Sequence, residues 1–378
     1  MSSSARPQRP ALPLHSHYPR LWTPPPDPEK PAFPYRIDFQ VDIKPHTPPP
    51  PYGDSLHGQG AWRQRSDVDL YSATQTEVVM AYPPLERKDT LPSSSGPAAT
   101  LTITGTLAVR DGRGAQLVVC SVASTAGQPP LEAVAKIFDA LYYSFENPDV
   151  GHVPGNPAKR ADVDYTREAA ALDHLRNMRQ PGLTAPEYLG SWTFSLPIAR
   201  AGKKLTRSVR LVLMENIRGP SIWSICRDLG ALSRYSEQDR LEILASVLDG
   251  VVRQRHVGVD QKDLASRNVV LRPNPLSSSS LSLAGTKQPL PQPVLVDYNN
   301  AVVFELTRFG KAPCQLEKLP ENPMELFWDA TFTEFAGWTP LGWSANLQQR
   351  QKWLKERFGG ENASHYAPAS VKLELAKS

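Results

Sequence analysis

The sequence predicts an α+β fold of two lobes, a small antiparallel sheet lobe followed by a helical lobe. Two β-branched runs, residues 101–109 and 115–122, flank a polar, glycine-bearing turn, which is the pattern of a β-hairpin. Residues 164–178 then place apolar side chains at helical spacing between a third strand and two further strands. From residue 219 onward the pattern becomes helical.

Each remaining element depends on a short pattern of its own. Ser236 with Asp239, three residues later, has the form of a capping box, which opens a helix. Residues 344–359 predict a second helix in the same lobe. Apolar, mostly β-branched runs predict strands at 76–82, 131–138, 186–194, 207–216, 269–271 and 294–296.

Proline is concentrated near the amino terminus. Runs such as Pro24–Pro26 favour an extended polyproline II conformation and cannot enter a helix interior. Residues 1–95 are therefore predicted to form a proline-rich, largely disordered extension, and residues 366–378 a tail. The PPPPY tract at 48–52 is either a ligand for a proline-binding domain or a spacer without a partner.

Charge and cysteine content exclude several classes of protein. The net charge is only +4 and no dense lysine or arginine run occurs, so no nucleic-acid partner is predicted. No apolar run approaches the roughly 20 residues that span a bilayer, and no secretory signal core is present, so no membrane partner is predicted. Cys120, Cys226 and Cys314 lack metal-ligand spacing and indicate free thiols. A cytoplasmic or nuclear location follows.

Three polar residues at the ends of predicted strands indicate the chemistry. Asp263 and Asn268 precede the strand at 269–271, and Asp297 follows the strand at 294–296. Carboxylate and amide oxygens are hard ligands that suit Mg²⁺, which usually completes its shell with water and phosphate. This order therefore predicts a site that holds Mg²⁺ and a nucleotide while it orients a hydroxyl. The alternative is that all three are ordinary turn residues.

Several residues give the chain from about residue 100 to 330 a resemblance to the protein-kinase-like fold. Gly112, Gly114 and Val119 follow the glycine-rich loop of that family, in which backbone N–H groups approach phosphates. Lys136 lies on the next predicted strand and resembles the strand lysine of the family. The resemblance implies two lobes and an ATP site between them.

The same resemblance assigns ATP-binding roles to individual residues. It implies that Lys136 contacts the α- and β-phosphates of ATP and pairs with Glu168 on the following helix. It places Glu215 and Asn216 at the hinge between the lobes, where the backbone would bind adenine. The predicted ATP-binding set therefore runs from the glycine loop to this hinge.

The transfer step is assigned in the same way. The resemblance implies that Asp263 accepts or orients the proton of the substrate hydroxyl. It implies that Asn268 and Asp297 hold Mg²⁺. The predicted catalytic residues are thus Asp263, Lys136 and Asn268.

The chain departs from the family at several positions. Leu117 replaces the third glycine of the loop, Gln261 and Lys262 replace the His and Arg before the catalytic Asp, and Asn299 replaces the Gly of D-F-G. The resemblance also divides the chain into a sheet lobe at 96–216 and a short helical lobe at 217–365. These features are similar to those of the divergent kinase-like proteins of filamentous fungi.

Three functions follow from this pattern. The first is an ATP-dependent phosphotransferase that modifies Ser or Thr hydroxyls of a protein substrate, motivated by retention of the polar positions. The second is a pseudokinase that binds nucleotide without turnover, motivated by the departures at Leu117, Gln261 and Asn299. The third is a small-molecule kinase, motivated by the short helical lobe.

Overall fold

A sheet lobe and a helical lobe make up the described part of the chain, as the sequence predicts. The computed structural model describes residues 21–53, 55–58, 68–87, 99–124, 127–178, 184–200, 202–274, 289–369 and 373–376. None of the helices in these ranges is long and apolar enough to cross a membrane.

The sheet lobe is a closed barrel of antiparallel strands in the order β1-β2-β3-β4-β6-β5. Strands β2 to β6 are those predicted from residue 99 onward, whereas β1 was not predicted as a strand. Because β1 pairs with both β2 and β5, it closes the sheet and leaves no open edge. The strands are β1 (Gln40–Pro45), β2 (Ala99–Ala108), β3 (Gln116–Ser124), β4 (Leu131–Phe138), β5 (Tyr188–Arg200) and β6 (Lys203–Met214).

Strand β4 positions the site because both of its faces are covered. Alternate side chains of a strand point to opposite faces. Ala135 and Ile137 pack in an apolar cluster inside the barrel. Val134 and Phe138 belong to another apolar cluster, which lies outside the barrel and extends into the helical lobe. Lys136 lies between the latter two and therefore faces the junction of the lobes.

The helices form as capping signals and apolar spacing indicate. Ser236 and Asp239 make the predicted capping box at the start of α5. The helix predicted at 344–359 is present as α7, which begins after the cap residue Asn346. The helices are α1 (Gln75–Ala81), α2 (Pro157–Met178), α3 (Ile222–Cys226), α4 (Leu229–Leu232), α5 (Glu237–His256), α6 (Pro323–Phe327) and α7 (Leu347–Phe358).

Two small antiparallel sheets lie in the helical lobe and carry the predicted polar residues at their ends. The strands predicted at 269–271 and 294–296 are present and pair with each other, with Val270 opposite Val294. The second sheet pairs residues 259–260, which precede these two strands in the chain, with residues 302–303, which follow them. These strands are β7 (Val259–Asp260), β8 (Val269–Arg272), β9 (Gln292–Leu295) and β10 (Val302–Val303).

The prediction of a largely disordered extension is wrong for its described residues. We use the term amino-terminal extension for residues 21–53, 55–58 and 68–87. Tyr35 and Ile43 are buried in the barrel core, and Tyr35 donates a 2.5 Å hydrogen bond to the buried carboxylate of Asp139. Tyr52 of the PPPPY tract is also buried, so the tract packs on its own protein. Isolated apolar side chains become buried and order this segment, although its proline content is high.

The strand predicted at 76–82 is also wrong, because these residues form helix α1. Thr74 accepts a hydrogen bond from the backbone N–H of Glu77, and the Glu77 carboxylate accepts one from the backbone N–H of Thr74. This reciprocal capping satisfies two amide donors that a helix start would otherwise leave unpaired. Val78 and Val79 then pack inward from a helix instead of a strand.

A polar network joins the amino-terminal extension to α2 and β6. His46 lies between Tyr165 of α2 and Glu86, with its Nδ1 2.5 Å from the Tyr165 hydroxyl and its Nε2 3.1 Å from the Glu86 carboxylate. Since a carboxylate only accepts, Nε2 carries the proton and Nδ1 accepts from the tyrosine. Glu86 also pairs with Arg210 of β6. Burial and the nearby Arg210 lower the pKa of His46 to about 4.

We expect this network to weaken on acidification. A histidine whose pKa is lowered in the folded state contributes stability above its unfolded pKa of 6.5 and loses it as the pH falls toward about 4. The free energy of unfolding of wild type, less that of His46→Gln, should therefore fall by about 2–3 kcal/mol across this window. Urea denaturation at several pH values measures it, and a difference that is independent of pH would contradict the assignment.

Candidate active site

A buried cation with two carboxylates lies where the two lobes meet. The Lys136 ammonium is 2.6 Å from Glu168 Oε2 and 2.5 Å from Asp297 Oδ1. Lys136 comes from β4, Glu168 from the middle of α2, and Asp297 from the segment just after β9. Three distant parts of the sequence thus supply one cluster, and its members are residues that sequence analysis selected.

The charges in this cluster stabilise one another against burial. Burial raises the pKa of Glu168 to about 7, and Lys136 opposes that rise. Burial also disfavours the charged form of Lys136, yet the carboxylates of Asp297 and Glu168 hold its pKa above the ordinary value. Despite the cost of burial, Lys136 lowers the pKa of Asp297. The cluster therefore holds a charged lysine beside an ionised Asp297.

Asp297 reaches the cluster through an unusual backbone conformation. Its φ is +67°, in the left-handed region that residues other than glycine rarely adopt. The next residue, Tyr298, donates its backbone N–H to Glu168 Oε2 at 2.8 Å, which fixes the segment against α2. The departure at Asn299 has no such strain, because its φ is not positive. The rare backbone conformation thus belongs to Asp297, the residue that supplies the carboxylate. Such conformations are common in functional sites.

Asp263 and Asn268 form a second polar pair beside this cluster. Asn268 Nδ2 donates to the Asp263 backbone carbonyl at 2.9 Å and to Asp263 Oδ2 at 3.0 Å. Arg267 Nη2 donates to the other carboxylate oxygen at 2.7 Å. The Asn268 side chain is buried, while that of Asp263 is 27% exposed and open to a substrate. The backbone N–H of Val296 donates to Asn268 at 2.9 Å and links the pair to the segment of Asp297.

Gln261 makes the backbone contact that its position requires. Its Nε2 donates to the carbonyl of Val296 at 2.5 Å and lies 3.4 Å from that of Asp297. A glutamine amide can thus support the backbone on either side of Asp297 by donating a hydrogen bond, as an imidazole could. Lys262 adopts a positive φ of 65° and pairs with Asp260 at 2.7 Å.

The turn between β2 and β3 carries the two predicted glycines. Gly112 and Gly114 have φ values of +76° and +123°, which only glycine adopts without strain. The Gln116 side chain accepts from the Arg110 amide and donates to the carbonyls of Arg110 and Gly114, so it bridges both sides of the turn. Val119 lies farther along β3, opposite Val134 of β4. The Gln116 side chain, at the start of β3, thus holds the turn in its closed form.

The residues predicted at the hinge are engaged in other interactions. The Glu215 carboxylate pairs with Arg272 of β8 at 2.7 Å, and its backbone N–H donates to Glu187 at 2.9 Å. The Asn216 side chain donates to Glu132 at 2.8 Å. Adenine binding by this segment stays a prediction, and it would need backbone groups other than the Glu215 amide.

Sequence analysis missed two arginines that act on this site. Arg113 of the turn and Arg267 beside Asn268 both help to lower the pKa of Asp297, after the larger effect of Lys136. Arg267 was recoverable from its spacing, since it lies four residues after Asp263 and pairs with it. Arg113 gave no such signal, because its position depends on how the turn folds over the site.

The residues present fit a magnesium ion that is completed by phosphate and water. No group of three His, Cys, Asp or Glu in the described part of the chain could hold a metal alone. Asp297 and the Asn268 side-chain oxygen could supply one or two hard ligands, which is the usual protein contribution to a nucleotide-bound Mg²⁺. Glu168 Oε1 is buried without a hydrogen-bond partner, so the cluster still has acceptor capacity.

The fold and this site define a mixed α and β protein in which a sheet lobe and helices meet at a buried Lys–Glu–Asp cluster. No protein-family model matches the chain, and no curated protein matches it in sequence.

Two solved structures of kinases match part of this chain. A crystallised kinase domain is 15% identical, with a TM-score of 0.32, and the match covers 54% of this chain and 51% of that chain. Vaccinia related kinase 3 is 15% identical, with a TM-score of 0.31, over 61% of this chain and 55% of its own. The chain spans about half the length of the solved chains it matches.

Proposed function

We propose that this protein is an ATP-dependent phosphotransferase with a protein-kinase-like domain, which transfers the γ-phosphate to Ser or Thr hydroxyls of a protein substrate. The observation that carries the proposal is the buried contact of Lys136 with Glu168 and Asp297, beside the Asp263–Asn268 pair. A lysine held by a helix carboxylate and followed by two acidic positions is the arrangement that phosphoryl transfer uses. The proposed cofactor and nucleotide are Mg²⁺ and ATP.

In this proposal some residues bind the phosphates and Mg²⁺, and others orient the substrate hydroxyl. Glu168 fixes Lys136, whose ammonium would donate to phosphate oxygens of a bound nucleotide. Asp263 accepts the proton of the attacking hydroxyl, and Asn268 holds that carboxylate in place through its amide. Asp297 and Asn268 would hold Mg²⁺, which when bound neutralises charge on the phosphate oxygens.

One observation favours a second function, a nucleotide-binding module without turnover. Arg267 donates to Asp263 Oδ1 at 2.7 Å and also pairs with Glu334 at 3.0 Å. Together with the Asn268 amide on Oδ2, this guanidinium engages both carboxylate oxygens of Asp263, which a substrate hydroxyl would otherwise approach. If this ion pair persists with substrate bound, the site would bind nucleotide but transfer slowly.

A single incubation separates these functions. Purified full-length protein is incubated with Mg-ATP and a mixture of Ser/Thr peptides, and phosphate incorporation is measured by mass spectrometry. Transfer that requires Mg²⁺ supports the phosphotransferase. A higher melting temperature with Mg-ATP but no transfer to any residue supports the module without turnover, since a ligand that binds only the native state stabilises it. No change in either measurement would reject both.

We further propose the division into lobes that the resemblance to the protein-kinase-like fold implies. The lobes are assigned to residues 96–216 and 217–365, with the strand β1 added to the first by the structure. We propose a cytoplasmic or nuclear location. We propose no partner for the PPPPY tract, because its Tyr52 is buried in the described structure.

A further inference from the structure

The amino-terminal extension contacts three segments that lie near the candidate site in the chain: α2, the glycine-bearing turn and the segment after Asp297. On α2, the Asp162 carboxylate accepts the backbone N–H of Leu85 at 3.0 Å, and the Tyr165 hydroxyl bonds to His46. Arg167 donates to the carbonyl of Tyr52 at 3.3 Å. These contacts fall within two turns of the helix and end one residue before Glu168. The outer face of this part of α2 is thus covered by the chain's own amino-terminal residues.

Apolar packing follows the same path. Val78 and Tyr82 of the extension are buried in a separate cluster with Phe145 and Ala158, the second residue of α2. The extension also comes very close to the helix at Gly53, where a Cβ atom would lie 2.8 Å from a methyl group of Val163. A larger residue there would have to displace α2 or the extension. The interface is therefore close-packed and partly apolar.

A second set of contacts reaches the glycine-bearing turn. Lys30 Nζ lies 2.9 Å from Asp111 Oδ1, in the turn before Gly112, and 3.2 Å from Gln75 Oε1 of α1. Gln75 in turn donates to the carbonyls of Ala140 and Tyr143 at 3.0 and 2.8 Å. Lys30 thereby ties the turn to α1 and to the segment after β4.

A third contact reaches the segment that follows Asp297. The backbone N–H of Arg308 donates to the carbonyl of Leu56 at 3.2 Å. The extension therefore bonds to α2, which carries Glu168, to the glycine-bearing turn and to the segment after Asp297. A shift of α2 would change the distance between Glu168 and Lys136.

We propose that the amino-terminal extension acts as an intramolecular brace, in which His46 and Tyr165 are positioning residues that hold Glu168 against Lys136. Glu168 is fully buried and lies one helical turn after Tyr165, so displacement of this turn moves the carboxylate directly. Displacements of about 1 Å are enough to impair a site whose groups act by position. The consequence for nucleotide binding depends on the proposed function, whereas the position of α2 does not.

The test uses the full chain and measures amide hydrogen exchange of α2, residues 157–178. His46→Ala should raise exchange in the Asp162–Glu168 turns by at least about 10-fold and leave α5 unchanged. Tyr165→Phe, which removes only the hydroxyl, should act in the same direction and serves if His46→Ala does not fold. Unchanged exchange in α2, or an equal rise in α2 and α5, would overturn the proposal.

Two further variants separate bracing from general loss of packing. Thr100→Val removes a 2.8 Å hydrogen bond from β2 to Asp42 of β1, which joins the extension to the barrel without touching α2, and should leave α2 exchange unchanged. His46→Gln keeps an acceptor for Tyr165 and a donor for Glu86, so it should restore protection near neutral pH. Failure of this rescue would count against His46 as a positioning residue.

Nucleotide affinity adds a readout that a merely structural role would not move. The dissociation constant of Mg-ATP should rise about 10-fold in His46→Ala and return toward wild type in His46→Gln. A wild-type protein that does not bind Mg-ATP would defeat the proposed function, while the exchange measurement would still decide on the brace. Affinity that is equal in wild type and His46→Ala, despite altered exchange, would overturn the link to the site.

Discussion

Lys136→Met is expected to lower the free energy of unfolding by about 3–5 kcal/mol, because it leaves two carboxylates in the buried cluster without their cation. The Lys136 side chain is only 4% exposed and that of Glu168 only 1%, so water cannot replace the ammonium at Glu168. The Asp297 side chain is 36% exposed, so water partly solvates its carboxylate in the variant and limits the loss of stability. Urea denaturation followed by tryptophan fluorescence measures the change.

A second substitution distinguishes a missing charge from a missing side chain. In Lys136→Met with Glu168→Leu, the buried carboxylate that lost its partner is also removed, so we expect about 2 kcal/mol to be regained over the single variant. Lys204→Met on β6 is the matched control, since that lysine is exposed and should change stability by less than about 0.5 kcal/mol. A single variant within about 1 kcal/mol of wild type would show that Lys136 does not compensate buried charge.

The Lys136–Glu168 contact was predictable although 32 residues separate the two. The pairing follows from the resemblance to the protein-kinase-like fold, in which a strand lysine pairs with a glutamate of the following helix. Asp263 and Asn268 were predictable for a different reason, because the spacing of five residues is bridged by one short turn. The structure brings these residues together, while their roles in transfer stay predictions until they are measured.

The extension could not be predicted by the same means. Strand β1 places Gln40 opposite Thr102, and a pairing between such distant residues leaves no local pattern. High proline content also concealed isolated aromatic residues such as Tyr35, whose burial depends on the partner Asp139. Helix α1 was a different kind of error, because the Thr74–Glu77 capping box was visible in the sequence and outweighs the β-branched pair that follows it.

Asp263→Asn should lower the rate of phosphate transfer by at least about 100-fold while nucleotide affinity stays within a few fold of wild type. Asparagine has nearly the same shape, and the bond from Asn268 Nδ2 to the backbone carbonyl of residue 263 remains, so the local fold is kept. What is lost is the base that accepts the hydroxyl proton, which matters only in the transition state. Rates from single-turnover assays, beside the Mg-ATP dissociation constant, measure both quantities.

Glu334→Gln is the matched control for this variant. It removes the second partner of Arg267, 3.0 Å away, but leaves the Asp263 carboxylate intact. Arg267 then pairs with Asp263 alone, and because the lost contact is one exposed ion pair, the rate should change only a few fold. Equal transfer by wild type and Asp263→Asn would contradict the proposed phosphotransferase with Asp263 as its base. A large loss in Glu334→Gln would instead place the control of transfer in the Arg267 ion pair, which is the feature that favours a module without turnover.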